Sequence, residues 1–194
     1  GPLLIIAGAG TGKTTVITRR VEWLISQKLA LPKEILCLTF TEKASLEMES
    51  RIDRILPLGY TQMWVTTFHS FCDRILRDEG LHIGLDSGYK LMTETDSISL
   101  LSRKFFDFSL DYYRPLGNPR KFLSGLLSHI SRLSDEDISP SNYLSWAQKV
   151  SDSEEKSRYV ELAGLYRDYE SLKLKESVMD FGDLVTFTLR LFRT

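Results

Sequence analysis

Residues 7–15 read Ala-Gly-Ala-Gly-Thr-Gly-Lys-Thr-Thr. Residue types in this order suit phosphate chemistry. Glycines let the backbone wrap closely around an anion with several N–H groups turned inward. A helix starting at the lysine adds its free N–H groups and the positive end of its dipole. In this Walker A arrangement Lys13 reaches the β and γ phosphates and the Thr14 hydroxyl completes the shell of a Mg²⁺. The expected cofactors are therefore ATP and Mg²⁺. Lys13 and Thr14 are the candidate catalytic residues, with Thr14 the metal ligand. Ala7, Gly8, Ala9, Gly10, Thr11, Gly12, Lys13, Thr14 and Thr15 form the cradle. One departure stands out: the pattern usually opens with glycine where this chain has Ala7. The bland alternative is a glycine-rich turn that binds nothing.

Such a loop must sit between a strand and a helix, and the flanking residues agree. Leu3 to Ala7 is a short apolar run between Pro2 and Gly8, which predicts a buried strand. After Lys13 the apolar positions Ile17, Val21, Leu24 and Ile25 predict a helix to about Lys28. Glu34 to Phe40 predicts a second buried strand. Thr41 can cap a helix with the stripe Ala44, Met48, Ile52, Ile55 and Leu56, and with Glu47 and Arg51 paired on its wet side. Met63 to Thr66 predicts a third strand, and Thr67 caps a helix carrying Phe68, Phe71, Cys72, Ile75 and Leu76. Alternating strands and helices imply a parallel α/β sheet. From about Gly80 the character changes. Residues 81–176 are mainly helical, rich in Ser, Asp, Glu and aromatics, and read as a helical lobe that follows or interrupts the α/β part.

Ile35 to Ile52, ILCLTFTEKASLEMESRI, resembles motif Ia of the UvrD/Rep/PcrA class of superfamily 1 DNA helicases, with Glu42 in place of the common Asn and Ser45 in place of a second small residue. Thr67-Phe68-His69-Ser70 looks like that family's next motif, and Asp180-Phe181-Gly182-Asp183-Leu184 like its Asp-Phe-x-Asp-Leu element. Ala7 also fits, because the family often opens its phosphate loop Ala-Gly-Ala-Gly. The resemblance implies a partial RecA-like P-loop domain, 1–80 with 177–194, interrupted by a helical insert at 81–176. It implies the N-terminal ATP-binding part of an ATP-dependent 3′→5′ helicase and translocase. The partners would be single-stranded DNA and duplex junctions, in the cytoplasm. It also implies DNA contacts at Thr39, Phe40, Thr41, Lys43, Thr67, Phe68 and His69.

Residue by residue, plainer readings compete. Phe40 continues an apolar strand, and Phe68 lies on the apolar stripe of its helix, so each is also a core candidate. Lys43 in a first helical turn is often merely solvated. Asp180 and Asp183 suit helix capping better than metal binding. Arg103 to Lys121 interleaves basic and aromatic residues, as a single-strand track does, yet a solvated helix with an aromatic core face fits it as well.

ATP hydrolysis also needs a Walker B carboxylate and an arginine on the transferring phosphoryl group. No apolar run ending Asp-Glu occurs in the chain. The resemblance places that run beyond Thr194, an adenine-reading glutamine before Gly1 and the arginines on further helicase domains absent from this sequence. The opening Gly-Pro-Leu-Leu and closing Leu-Phe-Arg-Thr fit the front part of a longer motor, and the isolated chain is expected to lack turnover. A helicase subunit of a RecB/AddA-like helicase–nuclease and a P-loop small-molecule kinase are the alternatives. No Asn-Lys-x-Asp element supports a GTPase, and Met179-Asp180-Phe181-Gly182 mimics a protein-kinase motif only by accident.

Composition sets the outer bounds. With 194 residues, 42% apolar and 26% charged, the chain can bury a real core, which excludes wholesale disorder. The 25 basic against 26 acidic residues leave a net charge of −1, so a polyanion must be held by local geometry. No run approaches membrane-span length, and no basic n-region marks a secretory signal. Cys37 and Cys72, each in an apolar run, are expected to be reduced core thiols.

Overall fold

A computed structural model describes residues 2–8, 10–54, 63–105, 108, 110–113 and 119–194. They form two compact units, residues 1–71 and residues 72–194.

In the first unit, α1 (Lys13–Ser26) leads through a 3-10 turn at Pro32–Glu34 to β1 (Leu36–Thr39), then to α2 (Glu42–Asp53) and β2 (Trp64–Thr67). The strands pair in parallel with Leu36 opposite Trp64 and Thr39 opposite Thr67, which is the expected β-α-β unit. Val21, Cys37, Met48 and Ile52 form the core, flanked by Ile25, Ile35, Met63 and Val65. Cys37 is a free, buried thiol, and burial pushes its pKa up. Thr41 caps α2 as expected, its hydroxyl accepting from Ala44 N–H at 3.2 Å, and Arg51 pairs with Glu47. Ile55 and Leu56 lie outside the described residues.

The strand expected at Leu3–Ala7 is not formed. Leu3, Leu4, Ile5 and Ile6 are exposed, and no backbone hydrogen bond ties residues 2–8 to β1 or β2. An apolar run states a demand for burial, but a strand also needs an edge to pair with. Residues 2–8 pair with neither open edge of the two-stranded β1–β2 sheet.

Helix α3 (Phe68–Glu79) contains the division between the units. The second unit continues with a 3-10 turn at Gly80–Ile83, β3 (Lys90–Leu91), α4 (Glu94–Lys104), α5 (Pro119–Asp135), α6 (Pro140–Ala147), α7 (Ser153–Lys175), β4 (Val178–Met179) and α8 (Phe181–Phe192). It is mainly helical, as expected, around a core that includes Leu101, Phe105, Leu123, Leu126, Ile130, Tyr166 and Tyr169. One two-residue parallel pairing, β3 with β4, brings Lys90 opposite Val178 and Leu91 opposite Met179. Residues 177–194 pack in this unit, where α8 lies against α5.

Arg103 to Lys121 is not one helix. Helix α4 ends at Lys104; Phe105 is buried, and Tyr112 is exposed beneath the Arg158 guanidinium, 4.1 Å from the ring centroid. Glu161 of α7 holds the turn by accepting from the backbone N–H groups of Asp111, Tyr112 and Tyr113 at 2.9–3.1 Å. Residues 106, 107, 109 and 114–118 lie outside the description, as do the side chains of Arg120 and Lys121.

Candidate functional site

The glycine loop runs directly into α1. Gly10 and Gly12 have φ of +74° and +86°, a left-handed backbone that side chains other than glycine adopt at a cost. A Cβ built on either would meet nothing within 4 Å, so the loop backbone faces open space. Gly12 ends the loop as the N-cap of α1, whose first turn carries no acidic residue to offset its dipole. The Lys13 ammonium folds back over the loop and donates to the carbonyls of Ala7 at 2.9 Å and Gly8 at 2.5 Å. Thr11 Oγ1 donates to the same Gly8 carbonyl at 2.8 Å. Thr14 is half-buried and Thr15 exposed, and Thr15 Oγ1 accepts from Arg51 Nη1 of α2 at 3.0 Å. Ala9 lies outside the described residues.

An accessible left-handed loop, an uncompensated helix N-terminus and a lysine at its first position fit a nucleotide polyphosphate. Thr14 offers one hydroxyl to a cation. Among the described residues no group of three or more His, Cys, Asp or Glu could hold a metal. A Mg²⁺ here fits as an ion carried largely by phosphate oxygens, which is its habit in nucleotide sites.

The second cluster lies at the C-terminal ends of β1 and β2, the ligand edge of a parallel sheet. Phe40 follows β1 and is 91% exposed. Phe68 opens α3 after β2 and is 44% exposed. Their ring centroids are 5.6 Å apart, tilted by 55°. Neither ring is core. The apolar stripe of α3 buries only its later turns, at Cys72 and Leu76, and Phe68 precedes them. Lys43, Thr41 and His69 are exposed at the same helix starts. Thr39 and Thr67 are buried and engaged: Thr39 Oγ1 donates to the Thr41 carbonyl at 3.2 Å, and Thr67 Oγ1 caps α3 by accepting from Ser70 N–H at 3.2 Å.

In the sequence Glu42 stands out only as a departure from a motif. In the structure its Oε1 lies 3.1 Å from Thr67 Oγ1 and 3.0 Å from Ser70 Oγ, joining the starts of α2 and α3. Nothing local could have signalled this, since 25 residues separate Glu42 from Thr67.

Asp180 and Asp183 cap α8 reciprocally, each carboxylate accepting the other's backbone N–H, as expected. They do more than cap. The buried Lys173 ammonium reaches Asp183 at 2.7 Å and Asp180 and Glu170 at 2.9 Å. Burial and the neighbouring carboxylates raise Asp183 to about 7 against the pull of Lys173. Burial draws Lys173 downward, yet Asp183, Glu170 and Asp180 outweigh it and hold the ammonium well above the usual lysine range. Three carboxylates surround a single buried cation here, which keeps Lys173 charged. The only advance signal was Glu170 lying three residues before Lys173 on one helix.

The fold and these two clusters define a mixed α/β chain with a glycine-rich loop opening a helix and a strand edge bearing exposed rings. Residues 1–194 match the model of the UvrD/REP helicase N-terminal domain. The chain belongs to that family. Its relatives include the ATP-dependent DNA helicase PcrA of Bacillus subtilis (strain 168), 35% identical over 193 residues, which cover 99% of this chain and 24% of the relative. Proteins of the same name from Staphylococcus epidermidis (strain RP62A) and Staphylococcus aureus (strain Mu50) are each 34% identical over 192 residues, covering 99% of the chain and 25% and 24% of theirs. The chain spans about a quarter of the length of the curated relatives it matches. Among the described residues no helix is long and apolar enough to cross a membrane.

Proposed function

We propose that this chain is the N-terminal ATP-binding part of an ATP-dependent DNA helicase that translocates 3′→5′ on single-stranded DNA and meets duplex junctions in the cytoplasm. The match of the whole chain to its family carries this reading, with the glycine loop at the start of α1 as its chemical counterpart. In the proposed organisation, residues 1–80 and 177–194 belong to an incomplete RecA-like domain and 81–176 to a helical insert. Ala7 to Thr15 cradle the polyphosphate of ATP. Lys13 exchanges its two carbonyl bonds for phosphate oxygens, and the Thr14 hydroxyl ligates Mg²⁺. The bound metal would neutralise charge on the phosphates during transfer. The chain's own residues bind and orient; among the described residues Arg51 rests on Thr15 at the end of the loop and is paired with Glu47. With the Walker B carboxylate expected beyond Thr194, the chain alone binds nucleotide weakly and does not turn over in this reading. DNA-stimulated ATP hydrolysis by the purified chain, lost in Lys13→Ala, would refute that.

At the second edge Phe40 and Phe68 stack on bases, with Thr41, Lys43 and His69 beside them and Thr39 and Thr67 setting the turns. A base stacked on an aromatic ring gains about 1–3 kcal/mol with little regard to sequence. Phe40→Ala is expected to weaken binding of a labelled oligothymidylate by about tenfold or more. Because Phe40 is 91% exposed, the unfolding midpoint should not move. Equal affinity of variant and wild type by fluorescence anisotropy would remove Phe40 from the proposed interface.

A further inference from the structure

Glu42 is a carboxylate placed where the proposed single-strand edge would be expected to want a cation. Resting on that reading of the edge, we propose that Glu42 serves as the chain's own anion at the start of α3. It takes the position a DNA backbone phosphate would otherwise fill, so that the strand is held there by its bases.

Three observations point this way. Helix α3 has twelve residues and no acidic residue in its first turn, so its positive end is capped by the neutral Thr67 hydroxyl and has no carboxylate of its own. Glu42 supplies one from the first position of α2: a single carboxylate oxygen sits 3.1 Å from Thr67 Oγ1 and 3.0 Å from Ser70 Oγ. These are hydroxyls of the kind that otherwise position a phosphate. The exposed rings adjoin this point in sequence, Phe40 two residues before Glu42 and Phe68 directly after Thr67, and they face each other at 5.6 Å. The edge thus offers base-stacking surface while its hydroxyls are already spent on an internal charge. An incoming phosphate meets like charge there; an incoming base does not. Glu42 is in this sense a specificity-determining residue, and its effect is on which part of the nucleotide is gripped.

The test is the salt dependence of single-strand binding. On a single strand each phosphate neutralised by a protein charge contributes about 0.7 to the slope of log affinity against log salt, and removing one opposing carboxylate raises the net charge facing the strand by one. Glu42→Gln keeps an oxygen for the two hydroxyls and removes the charge. Its slope is expected to steepen by about 0.7, so that it gains about fivefold more affinity than wild type per tenfold dilution of salt. Glu42→Asp keeps the charge and should keep the wild-type slope, whereas Phe40→Ala should lose affinity with the slope unchanged. An abasic deoxyribose-phosphate oligomer, which has no bases to stack, should bind Glu42→Gln better than wild type. Glu42→Asn is the second neutral variant, and circular dichroism confirms that each variant is folded.

A neutral variant with the wild-type slope, or with no gain on the abasic oligomer, overturns the proposal while leaving the stacking edge intact. Failure of either neutral variant to fold beside a folded Glu42→Asp would make Glu42 a structural residue and overturn it too. Absence of oligothymidylate binding by wild type, with Phe40→Ala no different, overturns the single-strand reading and this proposal together.

Discussion

Lys13→Ala in a helicase carrying this chain is expected to lower ATP turnover by at least about a hundredfold, the scale seen when one preorganised donor to developing charge is removed. The expectation rests on where the ammonium sits. Lys13 is the first residue of α1, directly after a left-handed Gly12, and its side chain already lies over the loop on the carbonyls of Ala7 and Gly8. It needs only to trade neutral acceptors for phosphate oxygens, which make stronger, charge-assisted bonds. Alanine leaves the loop with its backbone N–H groups alone. Lys13→Arg should recover little, because a planar fork does not replace a compact point charge at the end of a flexible stem. Titration with a fluorescent ATP analogue separates binding from turnover. Unaltered binding and turnover in Lys13→Ala would show that the loop is not the nucleotide cradle. Lys13 is exposed and joins only loop carbonyls, so little of the effect should come from misfolding.

The largest effect on stability is expected at Lys173. Replacing it with methionine keeps the length of the side chain but strands Glu170, Asp180 and Asp183 around a buried site without a cation. Breaking one side of a buried charge cluster costs about 3–5 kcal/mol. Urea unfolding should report a loss on that scale at neutral pH, and a variant within about 1 kcal/mol of wild type would contradict the geometry. The pH dependence adds a second check. Asp183 is held at about 7 in the fold, above its ordinary 3.8, so protonation favours the folded state. Its contribution is complete below about 4 and is lost as pH rises through about 7. Burial raises Glu170 in the same direction. Without the ammonium these carboxyls rise further, so the penalty of Lys173→Met should grow with pH and narrow in acid. A penalty independent of pH between 4 and 8 would argue that the cluster is not electrostatic.

Much of the first unit is legible in its sequence because local signals and packing agree there. The helix after Lys13, the cap at Thr41, the cap at Thr67 and the parallel pairing of β1 with β2 follow from periodicity and from single side-chain hydrogen bonds. The capping pair Asp180 and Asp183 is legible for the same reason, since its partners are three residues apart. What is not legible depends on neighbours distant in sequence. The apolar run Leu3–Ala7 looks like a strand, but pairing requires an edge that no local pattern reports. Phe68 sits on an apolar stripe whose burial depends on which turns of α3 meet other residues. Glu42 meets Thr67, and Lys173 gathers Asp180 and Asp183, only after the chain has folded back. In both clusters the sequence displays the charges without showing which of them meet.

Helix α2 has one further consequence. At about 1.5 Å per residue its twelve residues make a strut about 18 Å long. Glu42 and the Phe40 turn stand at one end, and near the other Arg51 rests on Thr15, the residue after Thr14. A tilt of about ten degrees about either end would carry the opposite end through about 3 Å, close to a hydrogen bond's length. The ring edge and the glycine loop thus stand near the two ends of one helix, and a change in its angle would shift the side-chain partners of both.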